Sequence, residues 1–581
     1  MRFDLRALLA KPAALWVSLV LGVVLCAPAL GNNLQGEDYA MRTTAQAAPW
    51  TAQLYASGPA NPQAVYQLID RGGLPWITNP RLHISFFRPL GSLSLHVDYR
   101  FWPERPVLMF AHSLLWLALL LAASLWLYRR VVRPEWAAGL AALLSAFDDV
   151  HGAAVAWLAA RHTLVASALG VLAIALHDRW RRSGFKAGAF LAPLALLLAL
   201  FAGEIGTGAV AFLFAHALFL DPAPARARWR AVAGWLAVVA VWGVLYVRSG
   251  AGTYGSGLYL HPLDEPIAFA AAAVERFAFL FIGVFWAPSA DFWTFLPAAE
   301  RARWTPLLWV VVVAILALLV PVVRRDRALC FWLCGTLLSM LALCSAPATD
   351  RSLIFPALGS MALMATVIAK IADRDSALPS SRLWRWPALG MSLGFCLINL
   401  VLSPLTLPVR ATVLRTINAW LASSGDELRA DQGQHLIVVN ATDYYTGTIS
   451  VVMGTLRHPP GAACNRILYG GLGQIQLSRP DPYTLIIDAL GGFLENEFNR
   501  VYRGIGFPLR VGDGLQLTKL LIRVEQVENG DAKRVRFQFA EPLEHPAFRW
   551  FSLHNGRFVP FVLPRVGETR TIPALVAPTA G

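Results

Sequence analysis

Charged residues are scarce in this chain, and their scarcity excludes most classes of soluble protein. Only 15% of the 581 residues are Asp, Glu, Lys or Arg, whereas 56% are hydrophobic and the mean hydropathy is +0.51. An average soluble domain carries about 25% charged residues. The composition therefore predicts a polytopic α-helical membrane protein with room for a separate soluble domain.

Cysteine is equally sparse, and its placement excludes a disulfide framework. Of the six cysteines, only Cys464 lies outside an apolar stretch, and no CxxC…CxxC metal-binding pattern is present. The net charge of +14 comes mostly from arginines that stand in clumps between apolar runs. Clusters of arginine between apolar runs are typical of the loops that set the orientation of a membrane protein. With neither a basic tail nor a recognition motif, the chain is not expected to bind nucleic acid.

The apolar runs predict a membrane domain whose chain crosses the bilayer repeatedly. The first, 13–31, follows three basic residues, Arg2, Arg6 and Lys11, is about long enough to cross a bilayer, and is interpreted as a retained span. Segment 266–290 contains Glu275 and Arg276 and is predicted not to cross, which places every basic clump on the cytoplasmic side. The result is about eleven spans in a bacterial cell membrane with an external C-terminus. The ten later spans are predicted at 107–128, 135–148, 162–177, 188–203, 205–220, 231–247, 306–323, 329–346, 352–369 and 387–404.

The last part of the chain has a different pattern. Residues 1–409 are predicted to form the membrane domain, with a first outer loop at 32–106, and residues 410–581 an extracytoplasmic all-β domain. Alternating apolar and polar residues predict strands at 435–439, 515–524 and 534–539. The turn signals Asn529-Gly530-Asp531 and Asn555-Gly556 separate such runs.

The ionisable residues fall at predicted outer ends of spans rather than at their middles. A transporter would be expected to carry them near the bilayer midplane and to show an internal repeat. The acidic pair Glu37-Asp38 follows the first span on the outer face. A carboxylate at that depth can meet both the phosphate end of a lipid and the hydroxyl of an outside acceptor. The sequence therefore favours chemistry at the outer membrane surface over transport.

Four blocks of residues resemble a known family. They are similar to stretches of the GT-C glycosyltransferases, above all to O-mannosyltransferase-like proteins that carry tetratricopeptide repeats. The resemblance covers about residues 30–370, and the expected repeats are absent from this chain. The blocks are Phe86-Phe87-Arg88-Pro89-Leu90 with Asp98-Tyr99 and His112, then 147–161, then Ala202-Gly203-Glu204, and finally 350–359.

The resemblance implies transfer of a sugar from a polyprenyl-phosphate-linked donor to an acceptor hydroxyl. In the GT-C fold an acidic residue of the first outer loop is the general base, which implies Asp38, with Glu37 as neighbour or substitute. Fixed cations would stabilise the departing phosphate. The candidates for that role are Arg88, Arg161, Arg351 and His151.

A second acidic block departs from the family pattern. Asp148-Asp149 stands where the family has His-Pro, and Ala153 stands where it has Glu. Together with Glu204, this pair is predicted to position the acceptor or a possible divalent cation. The acceptor itself, whether lipid, glycan or protein, does not carry over from the family.

Two alternatives stay open at this point. The first is an envelope ligase or polymerase that moves whole lipid-linked glycans. Such enzymes usually rely on arginines and histidines in a large late loop, whereas this acidic pair lies in the first loop. The second is a non-catalytic membrane scaffold whose β domain binds a partner or glycan.

Overall fold

The protein divides into two compact units, each built from three segments of the chain. The computed structural model describes residues 4–47, 50, 54–58, 61–294, 296–376, 378–425, 427–457 and 462–575. One unit comprises Met1–Tyr55, Phe86–Ala251 and Glu265–Arg415. The other comprises Ala56–Ser85, Gly252–Asp264 and Thr416–Gly581. Two short segments from the first half of the chain thus belong to the second unit. A single division of the chain near residue 410 would assign them to the first unit.

Helices dominate the first unit. In chain order the helices of the protein are α1 (Leu5–Leu9), α2 (Pro12–Cys26), α3 (Gly36–Ala47), α4 (Pro62–Asp70), α5 (Pro89–Phe101), α6 (Pro106–Val131), α7 (Glu135–Phe147), α8 (Val150–Ala156), α9 (Arg161–Ser183), α10 (Gly188–Ala202), α11 (Thr207–Phe219), α12 (Ala225–Arg248), α13 (Pro266–Phe285), α14 (Ala290–Thr294), α15 (Ala298–Val323), α16 (Arg327–Leu343), α17 (Ile354–Ala372), α18 (Arg382–Leu397), α19 (Ser403–Arg410), α20 (Val413–Ser424) and α21 (Tyr444–Arg457). Short 3₁₀ turns lie at Ala27–Gly31, Leu158–Ala160, Glu204–Gly206, Asp350–Ser352 and Glu497–Val501, and a π turn lies at Ile398–Leu402.

Within the described residues, eight helical segments are long and apolar enough to cross a membrane, or nine if the bent pair α7 and α8 is one span. They are Pro12–Gly31, Pro106–Val131, Leu158–Ser183, Ala225–Arg248, Pro266–Phe285, Ala298–Val323, Ile354–Ala372 and Arg382–Leu421. The prediction of a polytopic helical membrane protein is confirmed.

The count of spans differs from the sequence prediction at four helices. Helices α10, α11 and α16 have 15, 13 and 17 residues. At about 1.5 Å per residue, none of the three covers an apolar bilayer core of about 30 Å. Helix α13, predicted not to cross, is a continuous helix of 20 residues that is apolar enough to span. Its Glu275 forms an ion pair with Arg301 of α15 at 3.0 Å, which neutralises the charge that argued against crossing.

Two helices form the centre of the first unit. In α9 and α17, 83% of the most apolar stretch is buried inside the protein, against 17% in α12. Both central helices are preceded by a 3₁₀ turn, Leu158–Ala160 before α9 and Asp350–Ser352 before α17. Arg161 is the first residue of α9, and Arg351 lies in the turn before α17. The fold therefore places two of the predicted site residues at the starts of its most buried helices.

The second unit contains the strands. They are β1 (Ala56–Gly58), β2 (His83–Ser85), β3 (Gly252–Tyr254), β4 (His435–Ala441), β5 (Cys464–Gly470), β6 (Ile475–Asp481), β7 (Thr484–Ala489), β8 (Gly514–Leu517), β9 (Leu520–Glu528), β10 (Asp531–Phe539), β11 (Phe548–His554), β12 (Arg557–Pro560) and β13 (Thr569–Ile572). They form sheets in the orders β1-β2-β3, β13-β6-β7-β10-β9-β8 and β12-β11-β4-β5.

The predicted β-rich domain is present and contains one feature that alternation did not indicate. Strand β4 pairs in parallel with β5 and with β11, and helix α21 connects β4 to β5. A parallel pair needs such a crossover, since a tight turn cannot bring the chain back in the same direction. Both Asn-Gly turns lie in hairpins with positive φ at the two residues, as type I′ turns require. The predicted single run 515–524 is itself the hairpin of β8 and β9.

Candidate active site

Asp38 lies in the first turn of α3 and is completely buried. Its Oδ2 accepts a hydrogen bond from the backbone N–H of Gln35 at 3.0 Å. Its Oδ1 accepts one from the backbone N–H of Ala159 at 2.9 Å. Ala159 belongs to the 3₁₀ turn before α9, so a carboxylate from the first loop is held by the start of a central helix.

The environment of Asp38 favours its protonated form more than water does. Burial raises the pKa of this carboxyl from 3.8 to about 7, against the two backbone hydrogen bonds and the positive charge of Arg161, which oppose the rise. The negative charge of the partly exposed Glu37 adds to the rise. A group with a pKa near the working pH is well suited to take a proton from a substrate.

Arg161 is fully enclosed and already engaged. It forms an ion pair with Asp98, which is also completely buried. Its Nε donates to the hydroxyl of Ser113 at 2.9 Å, and an Nη donates to the carbonyl of Met109 at 2.6 Å. His112 lies 2.8 Å from Asp98. Asp98, His112 and Arg161, which lie far apart in the sequence, thus form one network of contacts. Through this network Arg161 connects α9 to α5 and α6.

Arg88 stands at the start of α5 in a different setting. Its Nε donates to Glu204 at 2.6 Å, and its guanidinium lies over the rings of Phe86 and Tyr55 at 4.2 and 4.9 Å. The hydroxyl of Tyr55 is buried and has no hydrogen-bond partner among the described residues. Burial raises the pKa of Tyr55, while the charges of Arg88 and Asp38 both act on it. Tyr55 therefore packs against one of the predicted phosphate-binding cations.

Arg351 is the third arginine that the sequence analysis predicted to bind the donor phosphate. Its guanidinium lies 4.8 Å from the centre of the Trp157 ring, on the segment that leads into the 3₁₀ turn before α9. Its neighbour Asp350 accepts a hydrogen bond from Arg410 at 2.5 Å, and Arg410 also pairs with Asp149 at 2.9 Å. These two ion pairs hold the turn that carries Arg351. They also give the Asp149 carboxylate a partner within the protein, the Arg410 guanidinium.

His162 was not predicted from the sequence, yet it lies between these groups. Its ring packs edge-on against Tyr55, with the centroids 5.2 Å apart. A Cβ on Gly203 would lie 2.8 Å from the His162 ring, and one on Gly91 would lie 3.1 Å from the His162 Cβ. Two glycines thus leave the space that the imidazole fills. The available signal was its position directly after Arg161, with Gly203 in another block of the same resemblance and Gly91 directly after the first block.

Two predicted residues lie apart from this arrangement. His151 is buried, and its ring Nε2 lies 2.8 Å from the carbonyl of Ser145. Asp148 is buried and accepts the backbone N–H of Val150 at 3.2 Å, which stabilises the start of α8. Both contacts are local to the bend between α7 and α8. Among the described residues, no group of three or more His, Cys, Asp or Glu is arranged to hold a metal ion.

Comparisons with known proteins give only distant similarity. No family model matches the chain, and no curated protein matches it significantly. The crystal structure of ArnT from Cupriavidus metallidurans bound to undecaprenyl phosphate is similar with a TM-score of 0.34 and 13% identity, over 78% of this chain and 89% of that chain. The crystal structure of the Archaeoglobus fulgidus oligosaccharyltransferase in the apo form is similar with a TM-score of 0.35 and 12% identity, over 76% of this chain and 64% of that chain.

Composition and structure together define the class: a multi-pass helical membrane protein with a β-rich C-terminal domain.

Proposed function

We propose that this protein is a membrane glycosyltransferase of the GT-C type. It transfers a sugar from a polyprenyl-phosphate-linked donor to an acceptor hydroxyl on the outer face of the membrane. The observation that carries the proposal is Asp38, a buried carboxyl whose pKa of about 7 suits a general base. Arg88, a candidate cation for the leaving phosphate, lies over the Tyr55 ring at 4.9 Å.

In this mechanism Asp38 takes the proton from the acceptor hydroxyl as the oxygen attacks the anomeric carbon. The bond from that carbon to the phosphate oxygen breaks, and the polyprenyl phosphate leaves with the electron pair. Because Asp38 has no exposed surface, the acceptor must displace a group packed against the carboxyl. Glu37, which is partly exposed, is the competing candidate for the base.

Arg88 and Arg351 are the cations that would hold the leaving phosphate. Arg88 lies on aromatic rings and pairs with Glu204, and Arg351 lies on the Trp157 ring, so both guanidinium groups are oriented before the donor binds. Oriented cations stabilise charge that develops in the transition state without reorganising. Arg161 acts differently in the proposal, since its hydrogen-bonding groups are committed to buried partners.

The test is donor consumption by purified protein in proteoliposomes. The wild type, Asp38→Asn and Glu37→Gln are each incubated with a panel of polyprenyl-phosphate sugars and an envelope extract that supplies acceptors. We expect the wild type and Glu37→Gln to consume one donor, and Asp38→Asn to lose at least about 100-fold in rate, the usual contribution of a general base. The consumed sugar identifies the donor.

Other outcomes would change the assignment. Loss of activity in Glu37→Gln with activity kept in Asp38→Asn would move the base to Glu37. Consumption of whole lipid-linked oligosaccharides but not of single-sugar donors would favour a glycan ligase. No turnover of any donor, with an extract that supports a known transferase, would contradict the proposal and leave the scaffold.

A further inference from the structure

His162 presents a fixed hydrogen-bond acceptor beside the proposed phosphate-binding cations. Its Nδ1 lies 2.8 Å from the carbonyl oxygen of Ala159. A carbonyl can only accept, so Nδ1 carries the proton, and Nε2 of the neutral ring is then an acceptor. Nε2 has no hydrogen-bond partner in the described part of the chain, and the side chain is partly exposed.

The ring has little freedom to turn away from this orientation. Tyr55 packs edge-on against it, and the Gly203 backbone lies so close that a Cβ there would be 2.8 Å from the ring. Tyr55 also packs against the Arg88 guanidinium, so His162 and Arg88 share one aromatic neighbour.

A phosphate oxygen is a poor partner for such an atom, because both would be acceptors. In a sugar phosphate held by Arg88 and Arg351, the anomeric carbon follows directly after the phosphate oxygen. The ring oxygen beside that carbon cannot donate. Within the donor sugar, the hydroxyl on C2 is the nearest group that can.

We propose that His162 selects donor sugars that carry a hydrogen-bond donor at C2, which is a hydroxyl in ordinary hexoses. The inference rests on the proposed function, since it places the donor phosphate on Arg88 and Arg351. It assigns His162 a role in donor specificity that the sequence blocks did not indicate.

The test compares two donors and one conservative variant. The fastest donor of the panel and its 2-deoxy analogue are given to the wild type and to His162→Asn. The Asn side-chain N–H can replace Nδ1–H towards Ala159, but it offers no group at the position of Nε2. We expect the wild type to prefer the natural donor by about tenfold in kcat/KM, which is about 1.4 kcal/mol. In His162→Asn that ratio should fall to about one.

A matched control separates specificity from general damage. His177 lies on the same helix, 15 residues further along and therefore about 22 Å away along the helix axis. His177→Asn should keep the tenfold preference. If His162 were only structural, His162→Asn would slow both donors equally and leave the ratio unchanged, which would overturn this inference alone.

Binding measured without turnover distinguishes the two proposals. The increase in melting temperature caused by each donor is recorded for the wild type and for His162→Asn. A larger increase with the natural donor in the wild type only would support the role of His162. No increase and no turnover with any donor would overturn the proposed function and this inference together.

Discussion

Replacing Asp38 by Asn should change how the stability of the protein depends on pH. Burial raises the pKa of Asp38 from 3.8 to about 7, so the folded protein holds a proton that the unfolded chain releases. Where the folded state binds more protons, the free energy of unfolding falls as pH rises. The wild type should therefore lose stability between about pH 4 and pH 7 and lose no more above that range.

The size of the effect follows from the two pKa values. The difference between 3.8 and about 7 corresponds to about 4 kcal/mol, of which about 2 kcal/mol falls between pH 5 and pH 7. Asn does not titrate, so the variant is free of this dependence. Its amide nitrogen cannot accept, however, and one of the backbone N–H groups of Gln35 or Ala159 would lose its partner. That loss costs about 1–3 kcal/mol at every pH.

The assay is thermal unfolding in detergent micelles at constant ionic strength, followed by tryptophan fluorescence at pH 5, 6, 7 and 8. We expect the variant to be less stable than the wild type at pH 5 and to gain on it steadily up to about pH 7. Parallel curves for the two proteins would refute the reasoning, because they would mean that Asp38 titrates alike in the folded and unfolded states. Glu37→Gln is the control for loss of a neighbouring carboxylate.

Two further predictions concern residues around the base. Arg161→Gln should lower the free energy of unfolding by about 3–5 kcal/mol, because Asp98 would stay buried without its ion partner. The double variant Arg161→Gln, Asp98→Asn should regain part of the lost stability, measured as a higher melting temperature than that of Arg161→Gln alone. Gly203→Ala should shift the His162 ring, since the new Cβ would lie 2.8 Å from it. We expect weaker donor binding with little change in melting temperature, and an unaltered donor-binding curve would contradict this.

Local patterns predicted the classes of structure well. Hydropathy indicated the membrane domain, and alternation indicated β4 and β10. The Asn529-Gly530 and Asn555-Gly556 turns were recognisable because only a few residue types tolerate positive φ at both positions. Spans were overcounted at α10, α11 and α16, whose helices are too short to cross the bilayer.

The candidate site could be predicted only in part. The acidic pair and the arginines were found because charge is conspicuous in an apolar sequence. The sequence could not tell a buried, paired arginine such as Arg161 from the aromatic-bound Arg88. It also gave no sign that Arg410 would pair with Asp149 and Asp350, which lie far from it along the chain.

The sequence by itself determined that the chain enters a membrane, carries a β-rich C-terminal domain, and has carboxylates and arginines near its first loop. These properties depend on composition and on neighbours within a few residues. The tertiary structure decided which carboxyl is enclosed, which arginines are already paired, and that His162 lies between Tyr55 and two glycines. Those outcomes depend on contacts between distant segments, whose desolvation and charge pairing arise only when the helices pack.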